Sequence, residues 1–274
     1  MSNEPITQIR NILQEFWVFE QSRLFGIWKL EFGVYLMKRV VVIPARYVST
    51  RLPAKPLADI AGKPLIQWVY DGACSSTLKD EVLIATDDVR IRAVAQSFGA
   101  TVAMTSPDCP SGTDRVYEVI AGRDADVIVN VQGDEPQIRG DMIDTLFAAF
   151  DNEPLEMATL CCPLADEDEC MNPNVVKVVL DRNGFALYFS RSPIPFFRKS
   201  TGMPVYKHIG IYGYSRSFLE TFVKLPAGRL EETESLEQLR ALEAGHRIKV
   251  LVVNYDGISI DTPEDLEQAR AKFR

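Results

Sequence analysis

Side chains that suit phosphate binding lie close together in the sequence, at Arg46, Ser49, Thr50, Arg51 and Lys55. A guanidinium group forms paired hydrogen bonds to phosphate oxygens, and a lysine ammonium adds a compact positive charge. The alternative is an ordinary solvated basic loop, because most Lys and Arg side chains lie on protein surfaces. The close spacing of these cations and hydroxyl groups favours a polyphosphate site.

Carboxylates follow another apolar segment, since Asp134 and Glu135 come shortly after Val127–Gln132. Such hard oxygen ligands suit Mg²⁺, which usually takes one or two protein carboxylates and completes its shell with phosphate and water. A polar turn with helix-capping acids is the alternative, and the context favours the metal. Asp261 offers a second ligand, but Asp261–Pro263 is also what a helix start requires. The residues alone leave these two interpretations of Asp261 open.

Weaker patterns elsewhere allow two interpretations each. Ser111–Arg115 could bring backbone N–H groups against a ring or an anion, but it is a weak motif by itself. His208 is explained more simply as a hydrogen-bonded strand histidine than as a catalytic base. Glu237–Arg240 could be a solvated helix face, since charge is common there.

The elements that must position these groups alternate between strands and helices. Val40–Ile43 predicts a short strand buried on both faces, which Pro44 ends because proline has no N–H to donate. Further strands are predicted at 82–86, 101–104 and 127–132. Helices are predicted from Pro64 to about Ala73, from Asp87 or Asp88 to Gly99, from Thr113 or Asp114 onward, and at about 140–150. This order is typical of a parallel doubly wound sheet, in which ligands bind at the carboxyl ends of the strands.

The second half predicts a hairpin of 175–180 and 185–190 around an Asn183–Gly184 turn. A strand at 208–214, helices at about 216–224 and 233–244, and a strand at 248–253 follow. Thr262 and Pro263 predict the start of the final helix. No linker interrupts this region. The predicted fold class is therefore α/β, a Rossmann-like doubly wound, mostly parallel sheet with an inserted β-hairpin or dimerisation subregion.

The composition is that of a globular protein, with 274 residues of which 46% are hydrophobic and 25% charged. The formal net charge of -8 argues against nucleic acid or an anionic membrane as a general partner. The five cysteines form no Cys-x-x-Cys pair, and the chain has two histidines. These features argue against a zinc site or a disulfide framework and favour a reducing cytoplasm.

The first 36 residues are rich in aromatic side chains and differ from the rest. No apolar run there reaches the roughly 18 residues of a membrane span, and no secretory cleavage pattern is present. Met37, directly before the first predicted strand, resembles a translation start. We therefore expect an extension at 1–36 without a catalytic role, no membrane insertion, and a single domain at 37–274.

A series of short segments occurs in one consistent order along residues 38–274. They are Pro44–Tyr47, Ser49–Pro53, Ala85–Asp87, Ser111–Thr113, Asn130–Pro136, Asn172–Asn174, Tyr188–Arg191, His208–Tyr214, Leu236–Arg240 and Asp261–Leu266. Together they resemble the 3-deoxy-manno-octulosonate cytidylyltransferase (CMP-Kdo synthetase) family. The whole set is specific, whereas the basic first loop alone would fit many sugar nucleotidyltransferases.

The resemblance implies an activity. Such an enzyme transfers CMP from CTP to the anomeric hydroxyl of an eight-carbon 3-deoxy-2-keto sugar acid and releases pyrophosphate. It also implies Mg²⁺ as the cofactor, a homodimer, and the supply of a lipopolysaccharide precursor. Residues 1–36 lie outside the resemblance.

The resemblance also assigns roles to residues. The catalytic set would be Arg46, Arg51, Lys55, Asp134 and Asp261, of which Asp134 and Asp261 would bind Mg²⁺. The triphosphate would be held by Arg46, Ser49, Arg51 and Lys55. The cytosine pocket would be lined by Ala45, Ser111 and Gly112. The candidates for binding the sugar acid are Gln132, Tyr188, Arg191, His208, Tyr212, Glu237 and Gln238.

Other functions remain open at this point. A related cytidylyltransferase could act on a different acid sugar, such as an 8-amino octulosonate or sialic acid. A glycosyltransferase with a similar sheet would usually need an Asp-x-Asp pair, which Gly133–Glu135 does not supply. A non-catalytic nucleotide-binding regulator is disfavoured because both proposed metal carboxylates are present. Pyrophosphate release, measured over several nucleotides and sugar acids, separates these classes.

Overall fold

The computed structural model describes residues 37–48, 52–164, 167–199 and 202–273. The predicted extension at 1–36 lies outside these ranges, as do Ser49, Thr50 and Arg51 of the basic loop. Met37–Arg274 forms one compact unit. Among the described helices, none is both long and apolar enough to cross a membrane.

The first half of this unit alternates strands and helices. In chain order it contains β1 (Arg39–Ala45), β2 (Asp59–Ile60), β3 (Lys63–Pro64), α1 (Leu65–Cys74), β4 (Glu81–Thr86), α2 (Val89–Ser97), β5 (Thr101–Met104), α3 (Gly112–Ala121), β6 (Val127–Val131) and α4 (Gly140–Asn152). A short 3-10 helix, Lys55–Leu57, precedes β2.

The second half adds the remaining strands and several short helices. It contains β7 (Met157–Pro163), α5 (Glu167–Met171), β8 (Lys177–Leu180), β9 (Ala186–Ser190), β10 (Tyr206–Ser215), α6 (Arg216–Phe222), α7 (Arg229–Glu234), α8 (Leu239–Glu243), β11 (Ile248–Val252) and α9 (Pro263–Lys272).

The main sheet has the strand order β11-β7-β10-β6-β1-β4-β5. β1 pairs in parallel with β4 and β6, β4 pairs in parallel with β5, and β7 pairs in parallel with β11. β10 runs antiparallel between β6 and β7, and the β8–β9 hairpin extends from β10. The predicted class, a mostly parallel α/β sheet with an inserted hairpin, is confirmed.

Alternate residues of β1 show that the sheet is covered on both faces. Val41 and Ile43 pack into a core with α1, α2, α4 and α9. Val40 and Val42 pack into a second core with α3, α6 and α8. All four side chains are fully buried. The continuous apolar run of β1 therefore has the cause that was predicted, burial on both sides by helices.

The prediction that Pro44 ends the first strand is wrong. β1 continues to Ala45, and Pro44 lies opposite Ala85 of β4. Its pairing with β6 ends earlier, where Val42 lies opposite Asn130. A proline is tolerated at this position because the strand is paired on one side there.

Three other features differ from the prediction. β7 was not predicted, because Met157–Pro163 contains no Val or Ile to mark it as a strand. The helix predicted at 233–244 is divided into α7 and α8, since Ser235 adopts a left-handed conformation with a φ of 52°. α3 begins at Gly112 with Ser111 as its N-cap, slightly before the predicted start.

The predicted Asn-Gly hairpin turn is confirmed. Gly184 has a φ of 77°, a conformation that glycine adopts without strain. The Asp181 carboxylate accepts hydrogen bonds from the backbone N–H groups of Asn183 and Phe185, each at 2.8 Å. The turn therefore joins β8 and β9 directly.

Candidate active site

Lys55 brings the two predicted metal carboxylates together. Its Nζ lies 2.7 Å from Oδ2 of Asp134 and 3.1 Å from Oδ1 of Asp261. The backbone N–H of Ile260 donates to the carbonyl of Asp134 at 3.0 Å, which fixes the two loops to each other. Burial alone would lower the pKa of Lys55, but the two carboxylates outweigh it and raise the pKa. Lys55 is therefore a charged ammonium in this arrangement.

The position of Lys55 is set by a backbone hydrogen bond that joins the two ends of the basic loop, residues 46–55. The backbone N–H of Ala54 donates to the carbonyl of Tyr47 at 3.0 Å, so both ends of the loop are held together. Lys55 then begins the 3-10 helix, in which Pro56 is buried. The predicted loop residues Ser49 and Arg51 lie between these ends, outside the described residues.

Asp261 does not serve as the helix cap. Thr262 is the N-cap of α9 and accepts a hydrogen bond from the backbone N–H of Asp265 at 3.2 Å, and Asp265 completes a capping box. The Asp261 carboxylate contacts Lys55 instead. The capping interpretation of Asp261 is therefore wrong, while Thr262 and Pro263 start the helix as predicted.

The two adjacent acids at the end of β6 have different environments. Asp134 contacts Lys55, whereas the Glu135 side chain is buried and accepts a hydrogen bond from the Tyr255 hydroxyl at 2.8 Å. Burial, and then the nearby Asp134 charge, raises the pKa of Glu135 to about 7. Glu135 thus anchors this loop to the segment that carries Tyr255.

The donor set at Lys55 fits Mg²⁺ in its chemistry. Two hard carboxylate oxygens converge on one ammonium, and a metal held by them would need phosphate and water to complete its shell. No group of three or more His, Cys, Asp or Glu side chains within the described ranges could hold a metal by itself. The arrangement is therefore suited to a metal shared with a polyphosphate rather than to a closed protein site.

Arg46, at the end of β1, is held by a neighbouring loop. Its Nη2 donates to the backbone carbonyl of Cys109 at 2.7 Å. The side chain is partly exposed, so the rest of the guanidinium group can face a ligand. Arg46 and Lys55 therefore lie near the two ends of the basic loop.

The predicted cytosine-pocket residues lie at the junction of β1 and α3. Ser111 accepts a hydrogen bond from the backbone N–H of Asp114 at 3.1 Å and so caps α3. A Cβ atom added to Gly112 would lie 3.5 Å from Cγ of Pro44 and 3.7 Å from Oε1 of Gln132. The start of α3, the end of β1 and the end of β6 therefore meet at Gly112. Ala45, the last residue of β1, is buried beside them.

Glu237 and Gln238 lie on the other side of this junction. Oε2 of Glu237 accepts a hydrogen bond from the Thr113 hydroxyl at 2.6 Å, and Oε1 of Gln238 accepts one from the Tyr212 hydroxyl at 3.1 Å. Glu237 Oε1 and Gln238 Nε2 have no hydrogen-bond partner among the described residues. Burial raises the pKa of Glu237, opposed chiefly by the hydrogen bond from Thr113. The alternative of a solvated helix face is wrong for these two residues.

His208 is a buried strand histidine, as its simpler interpretation predicted. Its Nε2 lies 3.0 Å from the hydroxyl of Thr159 on β7. The rings of Phe189 and Tyr212 pack against it at centroid distances of 5.0 and 5.5 Å. Burial lowers the pKa of His208 to about 3. The imidazole is therefore neutral near pH 7.

Arg191 and Tyr188 contact a different set of groups from those around Lys55. The Arg191 guanidinium donates to the carbonyls of Glu234, Pro173 and Ser235 at 2.7, 3.1 and 3.4 Å. Tyr188 is half-buried on β9, and burial, with the Glu234 charge nearby, raises its pKa. Arg191 therefore ties the Asn172–Asn174 turn to the end of α7, and it contacts carbonyls where a substrate-binding role was predicted.

Arg115 is a buried residue to which the sequence analysis gave no role. It lies in the first turns of α3, donates to the hydroxyl of Thr105 and forms an ion pair with Asp87 at 3.4 Å. It is fully buried and joins the ends of β4 and β5 to α3. The signal was present in the Ser111–Arg115 motif, but the sequence does not show that Arg115 faces inward.

The comparisons with known proteins agree with this geometry. Residues 40–248 match the cytidylyltransferase family model. A 3-deoxy-manno-octulosonate cytidylyltransferase of Thermodesulfovibrio yellowstonii is 52% identical over 247 residues, which cover 85% of this chain and 97% of the relative. An 8-amino-3,8-dideoxy-manno-octulosonate cytidylyltransferase of Shewanella baltica is 47% identical over 242 residues, covering 86% of this chain and 99% of the relative.

A solved structure extends the similarity to three dimensions. It is that of a CMP:2-keto-3-deoxy-manno-octonic acid synthetase in complex with CTP, with a TM-score of 0.82 and 47% identity. The match covers 86% of this chain and 98% of that one. The chain therefore belongs to the cytidylyltransferase family, in the group that includes the 3-deoxy-manno-octulosonate enzymes, and it is a nucleotidyltransferase.

Proposed function

We propose that this enzyme transfers CMP from CTP to the anomeric hydroxyl of 3-deoxy-D-manno-octulosonate and releases pyrophosphate. The observation that carries the proposal is the 52% identity to a relative of that activity over 97% of the relative's length. The similar synthetase structure, which was solved with CTP, supports the choice of nucleotide.

The proposed chemistry must overcome charge repulsion, because an anionic sugar approaches a polyanionic nucleotide. The anomeric oxygen forms a bond to the α-phosphorus, the bond from that phosphorus to the pyrophosphate oxygen breaks, and the hydroxyl proton passes to solvent. Arg46 and Lys55 hold the triphosphate and balance the charge that shifts onto pyrophosphate. Ser49 and Arg51 share this role in the proposal. No protein nucleophile is required.

Asp134 and Asp261 are the proposed ligands of Mg²⁺. Their oxygens lie within hydrogen-bonding distance of the same ammonium group, so they converge on one region beside the basic loop. Mg²⁺ bound there would polarise the phosphate oxygens and lower the pKa of the attacking hydroxyl. Lys55 keeps the two carboxylates close together before the nucleotide arrives.

The remaining site residues are proposed to bind cytosine and sugar. Ala45, Ser111 and Gly112 line the cytosine pocket at the junction of β1 and α3. Glu237 Oε1 forms an ion pair with Nη2 of Arg240 at 3.9 Å but accepts no hydrogen bond among the described residues, and Gln238 Nε2 donates none there. Both atoms are suited to the hydroxyl groups of a sugar acid. Tyr212 and His208 lie on β10, Gln132 directly follows β6, and His208 acts as a neutral group.

The second candidate substrate is the 8-amino sugar acid, because several relatives of that name are 46 to 49% identical to this chain. The test is pyrophosphate release over a grid of CTP, UTP, ATP and GTP against 3-deoxy-D-manno-octulosonate, its 8-amino analogue and sialic acid. We expect CTP with 3-deoxy-D-manno-octulosonate to give the highest kcat/KM. Higher kcat/KM with the 8-amino sugar would transfer the proposal to that substrate.

We also propose that the enzyme is a homodimer formed through the β8–β9 hairpin and the segment after it. Several large apolar side chains are exposed there: Leu187 at 62%, Phe196 at 90%, Phe197 at 43% and Met203 at 50%. Contiguous exposed apolar surface marks interaction sites. Light scattering coupled to gel filtration should give twice the chain mass, and Phe196→Asp should shift the protein to the monomer. A parent protein of monomer mass at micromolar concentration would contradict this.

The proposed location is the cytoplasm, where the product would serve lipopolysaccharide synthesis. All five cysteines are unpaired in the structure, which is consistent with a reducing compartment. Cell fractionation with an antibody against this chain tests the location.

A further inference from the structure

Residues 105–110, here called the 105–110 loop, connect β5 to α3 and support Arg46. The carbonyl of Cys109 accepts the hydrogen bond from Arg46 Nη2 at 2.7 Å. The direction in which the Arg46 guanidinium points is therefore coupled to the conformation of this loop. A loop that moved would remove the acceptor and allow Arg46 to rotate.

Glu118, two turns into α3, accepts hydrogen bonds from two residues of the 105–110 loop. Its carboxylate oxygens accept from the backbone N–H of Ser106 at 2.9 and 3.1 Å. Oε2 also accepts from the thiol of Cys109 at 2.9 Å. Burial, followed by the hydrogen bond to Glu118, raises the pKa of Cys109 to about 11, so the thiol keeps the proton that it donates.

The geometry forms a chain of contacts from the helix to the basic loop. A rigid helix holds Glu118, Glu118 holds both ends of the loop segment Ser106–Cys109, and the Cys109 carbonyl holds Arg46. Glu118 does not itself lie against Lys55 or Asp134 in any contact of the described residues. It therefore acts through Arg46 rather than on a reacting group.

We propose that Glu118 is a positioning residue that orients Arg46 for the triphosphate of CTP. This inference rests on the proposed function, in which Arg46 binds the triphosphate. A hydrogen bond that orients a charged side chain contributes to ligand binding only if the side chain contacts the ligand in that orientation. Loss of Glu118 should therefore weaken the binding of CTP and leave the binding of the sugar acid unchanged.

The test is a double-mutant cycle of Glu118→Ala and Arg46→Ala, with KM for CTP and KM for the sugar acid measured separately by pyrophosphate release. We expect Glu118→Ala to raise KM for CTP about tenfold, the effect of losing one hydrogen bond to a charged group. KM for the sugar acid should change less than about twofold. In the Arg46→Ala background, adding Glu118→Ala should change KM for CTP less than about twofold.

Two further variants separate positioning from general stability. Glu118→Gln keeps one carbonyl acceptor for the Ser106 N–H, so its KM for CTP should lie between those of the parent and Glu118→Ala. This variant also tests the proposal if Glu118→Ala does not fold. Asp144 of α4 is the matched control, because it accepts from Ser76, Thr77 and Leu78 in the same way at a different loop. Asp144→Ala should lower the melting temperature while KM for CTP stays unchanged.

Additive effects of Glu118→Ala and Arg46→Ala on KM for CTP would overturn the inference. An equal rise of both KM values in Glu118→Ala would also overturn it, since this would indicate general disruption. Arg46→Ala with the KM of the parent for CTP would overturn it as well, because Arg46 would then need no positioning. The proposed function fails separately, if the parent enzyme releases no pyrophosphate from CTP with any of the sugar acids.

Discussion

At the scale of single residues, one cation is shared by the two proposed metal ligands. Lys55 contacts Asp134 and Asp261, which lie 79 and 206 positions away in the chain. Without a positive group between them, two carboxylates that both lie within hydrogen-bonding distance of one ammonium would repel each other. Lys55 therefore assembles the proposed metal ligands and also offers its charge to the triphosphate.

Replacing Lys55 by Met removes the charge and keeps a side chain of similar length. We expect kcat/KM for CTP to fall at least about 100-fold, as when a single electrostatic donor is removed from an active site. Lys63→Met is the matched control, because Lys63 forms an exposed ion pair with Asp71 at 3.0 Å. Initial rates of pyrophosphate release measure both variants. A Lys55→Met enzyme as active as Lys63→Met would contradict the role of Lys55.

His208 gives a pH dependence of stability with a definite sign. Burial lowers its pKa from 6.5 to about 3, so between these values the unfolded chain binds a proton that the folded protein does not. The free energy of unfolding therefore falls as pH drops below 6.5, by up to about 1.4 kcal/mol per pH unit from this group. Urea unfolding at pH 7, 6 and 5 should show that the free energy of unfolding depends less steeply on pH in His208→Gln than in the parent. Identical slopes in the parent and the variant would contradict the burial of a neutral imidazole.

At the scale of elements, two adjacent residues at the start of α9 have different roles. Thr262 caps the helix, whereas Asp261 faces Lys55. Thr262→Ala should lower the free energy of unfolding by about 1 kcal/mol, the usual cost of losing an N-cap, and leave the Mg²⁺ dependence of activity unchanged.

Asp261→Asn should give the opposite result. It keeps the shape of the side chain and removes the charge, so we expect the Mg²⁺ concentration for half-maximal activity to rise about tenfold or more. Its urea midpoint should stay close to that of the parent, because Thr262 and Asp265 still form the capping box. An unchanged Mg²⁺ dependence in Asp261→Asn would contradict the role of Asp261 as a metal ligand.

Much of the framework could be predicted because local signals mark it. The β-branched run at Val40–Ile43 identified β1, and Thr262–Pro263 identified the start of α9. β7 was missed since its Ala, Met and Cys residues have no strong strand preference. It became a strand because β10 and β11 pair with it on both sides. Long-range pairing of this kind leaves no local signal.

The site was predictable in its residue types and less so in its contacts. The position of Asp134 after a buried strand predicted a carboxylate at the sheet edge. The sequence could not show that Lys55 would hold Asp134 to Asp261, or that Arg191 would donate to three backbone carbonyls. Those contacts depend on how distant loops meet, and this is set by the fold as a whole.

At the scale of the whole molecule, the compact unit that begins at Met37 contains all of the described site. The backbone N–H of Lys38 donates to Asp126 at 2.7 Å, and that of Arg39 donates to Asp80 at 2.7 Å, so the first strand is held from its start. Residues 1–36 contribute none of the predicted site residues.

We expect protein beginning at Met37 to keep kcat and both KM values within about twofold of the full chain, because every described contact of β1 is retained. The control is a chain beginning at Val41, which loses the contacts of Lys38 and Arg39 and should have a much lower melting temperature. Loss of activity or of dimer on deleting 1–36 would contradict the prediction that the extension has no catalytic role.

The transfer of CMP to the sugar acid is tested most directly by ³¹P NMR of the parent enzyme with CTP, Mg²⁺ and 3-deoxy-D-manno-octulosonate. We expect a new phosphodiester signal from the CMP-sugar and a pyrophosphate signal of twice its integral, because each pyrophosphate carries two equivalent phosphorus atoms, and both should be absent without the sugar acid. CTP that remains intact with every acid sugar tested, or pyrophosphate that accumulates with free CMP and without the phosphodiester, would contradict it.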